Sequence, residues 1–348
     1  MVENLSLKIN ELETRTYSQW DQFVLRHPHG SPFHLIAWKK TMEDTFGYRP
    51  HYLWIEEADQ VRAVLPLFLV KSFLTGKALI SSPFAVYGGI LADSDAARQA
   101  LFLEARSLAE KLQVDYLELR NGHCEQCVGV DQISQYFTFT QQVGPDEAAL
   151  MQSLPSKVRT KIRKAMAQSF KTRRQLSDCT AFERLYSASL RRLGTPSFPP
   201  QYFAALLENF RDMIDIQEVL LDGRVVAASM NFYFRDQMHT YYGGYDPSLT
   251  EVAVSNYMFF DLLRVAGKSG YTTFDYGRSK EKTGSFDFKR HWGASMRKLP
   301  YEILLVRSKE RPNYSPSNPK LKFAIECWKR LPLSITRKLG PKLIRMFP

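Results

Sequence analysis

The tripeptide Tyr87-Gly88-Gly89 returns as Tyr242-Gly243-Gly244, 155 residues later, and the arginines Arg120 and Arg278 stand 158 residues apart. Around both tripeptides the same order is legible: a strand pair, a third strand, the glycines, a helix, another strand and the arginine. Self-similarity at a fixed period constrains a fold more than any single motif does, and a period of domain size indicates a duplicated domain rather than a short-repeat array. In the first copy His51 to Glu56 and Val61 to Val70 alternate about the turn Glu57-Ala58-Asp59-Gln60, Ala78 to Ile80 leads through Ser81-Ser82-Pro83-Phe84 to Val86-Tyr87-Gly88-Gly89-Ile90 in the same strand-rich region, and Ala96 to Gln113 reads as a helix and Val114 to Arg120 as a strand. In the second, Ile214 to Leu221 and Arg224 to Phe234 flank Asp222-Gly223, a strong hairpin signal. Gln237 to Tyr242, a helix over Val252 to Gly267, a strand over Tyr271 to Arg278 and a last strand over Tyr301 to Arg307 complete that copy.

The predicted organisation is therefore α/β with two tandem domains, residues 1–148 and 149–307, and a basic C-terminal helical tail, residues 308–348. No run of 18 apolar residues occurs and the first residues are polar, so neither a membrane span nor a secretory signal is expected and the cytoplasm is the expected location. Four cysteines in 348 residues make no disulfide framework. The pair Cys124 and Cys127 lacks the second pair that a structural zinc site usually needs, so no metal is expected. A net charge of +11 favours anionic partners without choosing among phosphate ligands, nucleic acid and acidic membrane surfaces.

The copies differ where chemistry would be housed. After Arg278 the second copy continues into a stretch rich in aromatic, basic and glycine residues, whereas the first has RNGHCEQCVGV, without the Phe-Lys and Trp-Gly pairs. Phe274 to Ala294, FDYGRSKEKTGSFDFKRHWGA, reads as a strand end followed by a basic loop, the kind of place where a scaffold presents functional groups. The chain has no GxSxG turn, HExxH, Walker loop or GxGxxG. That leaves catalysis by proximity, with a cation placed where negative charge develops. Lys289, between Phe288 and Arg290, suits that role. Asp275 and Tyr276 alternate faces of their strand, and either could assist proton removal from an amine.

Lys157 to Arg174 carries eight basic residues and no acid, with Val158, Ile162, Ala165 and Met166 on one helical face. A positive face without interleaved glutamates points to a phosphate-bearing ligand. The substrate-binding candidates are Arg278, Ser279, Phe288 and Trp292 from the loop, Tyr242 and Asn256 from the strand and helix before it, and Arg159 and Arg163 from the basic helix.

The duplicated unit, LPSKVRTKIRKA at the start of the second copy, LGTPSFP, DYGRS, FKRHWG and SPSNPK together resemble the FemAB-like transferases, in particular those associated with PEP-CTERM and exopolysaccharide systems. The resemblance runs from about Gln19 to the C-terminus. It implies two tandem GNAT-like acyltransferase-type domains and an acyltransferase or aminoacyl transferase acting on an amine of a polysaccharide or cell-envelope precursor. It also implies that Lys289, the lysine of the Phe-Lys pair, stabilises charge in acyl transfer. Acyl-CoA and aminoacyl-tRNA are the candidate donors. The pyrophosphate loop of ordinary acyl-CoA enzymes is not visible in GGYDPSLTEVAVSNYM. The candidate partners are a phosphate-bearing small molecule or lipid-linked glycan precursor, tRNA, and an anionic membrane surface met by the tail. Within the tail, Pro319 to Pro348 mixes eight basic residues with Trp328 and several leucines, which suits peripheral binding on the inner face of the membrane or packing on the first domain. A rival reading is a catalytically silent binding protein holding a sugar nucleotide, lipid-linked precursor or RNA in the same cleft.

Overall fold

The computed structural model describes residues 8–123, 130–133, 135–175, 177–311 and 319–348. Cys124, Cys127 and the SPSN part of SPSNPK lie outside them. The chain divides into two compact units, one of residues 1–134, 299–318 and 345–348, the other of residues 135–298 and 319–344.

The first unit contains β1 (Lys8–Glu11), α1 (Tyr17–Arg26), α2 (Ile36–Phe46), β2 (Arg49–Glu57), β3 (Gln60–Ser72), β4 (Gly76–Ser81), β5 (Leu91–Ala92), α3 (Asp95–Lys111), β6 (Tyr116–Leu119) and β7 (Asp131–Ile133). The second contains β8 (Tyr136–Gln142), α4 (Glu147–Ser153), α5 (Ser156–Met166), β9 (Lys171–Gln175), α6 (Thr180–Leu193), α7 (Pro200–Phe210), β10 (Ile214–Leu221), β11 (Arg224–Phe234), β12 (Gln237–Tyr245), α8 (Val254–Lys268), β13 (Thr273–Lys280), α9 (Gly284–His291) and β14 (Ser295–Lys298). Three elements follow: β15 (Tyr301–Leu305), which belongs to the first unit, and α10 (Pro319–Arg330) and α11 (Leu333–Leu343), which belong to the second.

The two sheets repeat one plan. The first runs β1-β2-β3-β4-β6-β15-β7, with β5 on the edge of β3, and the second runs β9-β10-β11-β12-β13-β8-β14. In each, one pair is parallel, β4 with β6 and β12 with β13, and every other pair is antiparallel. A parallel pair needs a crossover, which α3 and α8 supply. Alternating apolar residues put Leu53, Leu65, Leu79 and Leu117 under α3, and Phe139, Met238, Phe274 and Tyr276 under α8.

Residues 86–90 form an irregular segment whose Gly88 and Gly89 N–H groups both donate to the Arg120 carbonyl. Three expectations need correcting. The basic stretch after β13 is not a loop throughout, because Thr283 Oγ1 accepts from Phe286 N and starts α9, which Gly293, at φ 77°, terminates. The strand over 301–307 does not close the second copy. It pairs with β6 and β7 in the first sheet, while β8 takes the matching place in the second, so the two copies exchange one strand and the chain crosses near residues 134 and 298. The tail is divided as well: residues 345–348 belong to the first unit, where Arg120 donates to the Pro348 carbonyl, while α10 and α11 belong to the second. Trp328 is buried in the second unit with its indole N–H on the Thr195 carbonyl, and Arg191 donates to the Leu331 carbonyl.

Candidate functional site

In the second sheet, β12 and β13 pair over only three positions, Gln237 with Thr273, Met238 with Phe274 and His239 with Asp275. Beyond them β12 continues along β11 and β13 along β8, so the two strands form a fork. Both carry a register shift there, between Asp275 and Arg278 on β13 and, on β12, where Met230 faces Tyr242 while Asn231 faces Thr240. Bulges bend a strand and increase its twist, which is how two paired strands come to part.

Gly277 is the reason β13 can bulge. Its φ of 70° lies in the left-handed region that side-chain-bearing residues adopt only at a cost. Asp275 Oδ1 accepts from the Gly277 N–H at 2.6 Å and fixes the turn. The carbonyls of Gly277 and Arg278 are thereby turned toward α9, where Lys289 Nζ donates to them at 2.8 and 3.1 Å. Lys289 is 8% exposed, with its ammonium 5.7 Å from the Phe139 ring centroid. Burial pushes its pKa down to about 7, against the raising effect of Asp275 and helped by the nearby Arg278 charge.

The other expected residues divide by face. Asp275 is buried and bonded to Gly277, with Thr138 Oγ1 at 3.4 Å and His239 Nδ1 at 3.4 Å from its carboxylate. Tyr276 takes the opposite face and joins the apolar core. Its hydroxyl donates to Gln141, and burial raises its pKa well above the usual phenol range, which leaves it no base at neutral pH. Phe288 and Trp292 pack with Phe259 beside Tyr276. The Arg278 guanidinium lies over the Tyr136 ring, and Ser279 is buried with its hydroxyl 2.6 Å from that of Ser285. Tyr242 is buried in a separate aromatic cluster, its hydroxyl 2.6 Å from Tyr202's, and Asn256 is buried on α8. Arg159 is committed to the carbonyls of Gln152 and Leu154, whereas Arg163 is exposed. The N-cap of α5, Pro155, touches the far end of α9, since a Cβ on Gly293 would lie 3.2 Å from it.

His239, Thr138 and Gln141 were missed. The signal for Thr138 is present in YFTFTQQ, whose alternation marks a strand with Thr138, Thr140 and Gln142 in one polar row, whereas Gln141 breaks the row of Phe137 and Phe139 on the other face. His239 stands out only as a lone imidazole among apolar and aromatic residues.

The first unit's matching fork is filled. There Arg120 is ion-paired with Glu118 and donates to the carbonyls of Ser82, Ala85 and Pro348. A cavity of about 290 Å³ elsewhere in that unit is lined by His27, His29, His34, Arg98 and His123, none of them an expected site residue. Among the described residues no group of three or more His, Cys, Asp or Glu is placed to hold a metal ion.

Residues 153–290 match the family described as the acetyltransferase (GNAT) domain, a span that contains the fork, Lys289 and α5. The solved structure of FemX superposes with a TM-score of 0.68 over 86% of this chain and 98% of its own, at 14% identity. The chain shares the fold of that structure, and its second half carries the matched GNAT domain. A tandem GNAT protein from the clavulanic acid biosynthesis pathway, solved without AcCoA, superposes with a TM-score of 0.53 over 88% of this chain and all of its own, at 10% identity. No curated protein matches the sequence.

Proposed function

We propose that this FemAB-like protein is an acyl or aminoacyl transferase acting on an amine of a polysaccharide or cell-envelope precursor, by direct transfer within a ternary complex. The observation that carries the reading is the buried Lys289 ammonium, held by two bulge carbonyls at the mouth of the fork. An ammonium has three N–H donors, and the third is the one offered to substrate. In the reaction the amine lone pair attacks the acyl carbon, the new C–N bond forms and the bond to the donor's leaving oxygen or sulfur breaks. The amine proton ends on the leaving group or solvent. The carbonyl oxygen carries negative charge only between those events, so a fixed cation there favours the transition state over the ground state. Asp275 acts in this scheme as a positioning residue through Gly277 rather than as the base.

The turn before α8, where an acyl-CoA pyrophosphate would need cations, carries Asp246 and the exposed Glu251. The basic helix α5 offers more. Of the eight basic residues of the run, Arg159 caps carbonyls, and Arg173 and Arg174 pair with Glu218 and Asp215. Lys157, Lys161 and Lys164 remain exposed on one stripe. That stripe spans about 10 Å, at ~1.5 Å of rise per residue, a length suited to successive phosphates of an RNA backbone. This supports an aminoacyl-tRNA donor over acyl-CoA. Transfer assays with both donors and a panel of amino-sugar acceptors, run beside Lys289→Met, test the proposal. Retained ligand binding with no transfer from either donor would leave the silent binding protein as the reading.

A further inference from the structure

The tail helices present two faces of different character. Inward, Trp328, Thr336 and Gly340 are buried, and a Cβ on Gly340 would sit 2.4 Å from Ser197 Oγ, so the contact admits no side chain. Outward, α11 exposes Ile335, Lys338, Leu339 and Lys342. Their spacing of three, four and seven residues puts all four on one stripe. Ile335 and Leu339 are 41% and 42% exposed, Phe323 on α10 is 78% exposed, and Leu193 at the end of α6 is 67% exposed. Gly194, the next residue, lies against Ile325 of α10. A soluble helix buries one apolar face and covers the other with mixed charge. Here the second face is apolar and cationic, and α11 contains no acidic residue.

We propose that the outer face of α11, with Phe323 of α10, docks on an anionic bilayer surface. The apolar side chains would enter the headgroup boundary while Lys338 and Lys342 extend their stems alongside and keep their ammoniums at lipid phosphates. Charge decides for lipid over a protein partner: the exposed cations on α11 meet no acid within the helix, and the whole chain is strongly basic. Two apolar residues alone bind a bilayer weakly, so both components are required and docking is reversible. The inference is independent of the reaction proposed above.

Co-sedimentation of the full chain with vesicles of phosphatidylcholine alone, and of phosphatidylcholine with phosphatidylglycerol, tests it. Binding is expected only to the second and is expected to fall with added salt. Ile335→Ser with Leu339→Ser, and separately Lys338→Gln with Lys342→Gln, should each lower the partition coefficient about tenfold. If the serine pair melts early, the glutamine pair, which changes only solvent-facing charge, decides. Equal partitioning of wild type onto both vesicles, or wild-type partitioning of the glutamine pair, overturns the proposal. Light scattering that shows a dimer lost in the serine pair, with no vesicle binding by wild type, would assign the face to a second copy instead.

Discussion

A lysine ammonium taken out of water destabilises a protein unless something replaces the water, and at Lys289 two backbone carbonyls do so in part. Because its pKa falls from the ordinary lysine value to about 7, the folded state gives up the proton more readily than the unfolded chain. Between about 7 and the ordinary value the unfolded chain therefore binds more protons, and this residue's contribution to stability rises with pH, by up to about 1.4 kcal/mol per pH unit. Denaturant titrations at acidic-neutral and alkaline pH should show the rise in wild type and its loss in Lys289→Met. For the reaction the sign is opposite, because the charged form does the work. Lys289→Met should lower turnover by about 100-fold or more at neutral pH, with little change in acceptor affinity. The ratio of wild-type to variant turnover, in which acceptor ionisation cancels, should fall as pH rises through about 7. A ratio independent of pH would reject a role for the charge. Lys282→Met, on the turn before α9, should cost much less, and Arg278→Ala should raise the substrate KM rather than lower turnover.

The fork and α5 are where elements rather than single groups matter. Gly277→Ala meets only ordinary contacts, with Thr240 and Tyr241 at 3.8 Å, so its cost is conformational: about 1–2 kcal/mol of stability for the left-handed φ. Because the same φ aims two carbonyls at Lys289, turnover should fall further than the melting temperature implies. Neutralising Lys157, Lys161 and Lys164 should weaken RNA binding and flatten its dependence on salt; a filter-binding titration over salt measures both. Unaltered slopes would point back to a single small phosphate ligand. Much of this level was legible in the sequence. Both hairpins, the basic helix, and the helices now seen as α3 and α8 follow from periodicity and turn residues, and Lys289 follows from its aromatic flanks. The partners of Lys289 were not legible, because they are backbone carbonyls whose direction depends on a bulge, and no residue type announces which way a carbonyl turns. Helix α9 was hidden for a related reason: in GSFDFKRH Phe286 and Lys289 are the buried residues, and a buried lysine breaks the apolar pattern by which helices are recognised.

At the scale of the whole chain the sequence shows two copies and conceals their exchange of strands. An antiparallel strand with apolar alternation, such as YEILL, fits either of two equivalent sheets, and nothing in its pattern names which. Ending the chain at residue 298 should therefore damage the first unit, not the second's sheet. The expected outcome is loss of β15, an unattached β7 and exposure of the Asn121 side chain that Glu302 holds. Hydrogen exchange on that truncated chain should show β6 unprotected while β10 to β13 keep their protection. Vectorial synthesis gives the same connectivity a temporal meaning. In most multidomain chains the N-terminal domain is complete, and can fold, while the rest is still in the ribosome. Here β15 lies between β6 and β7, and Tyr301 ties down the irregular segment through the Val86 carbonyl. The first unit is thus left open until the whole of the second sheet has been made, and the half of the protein that is translated first must wait for a strand of the other half before it can close.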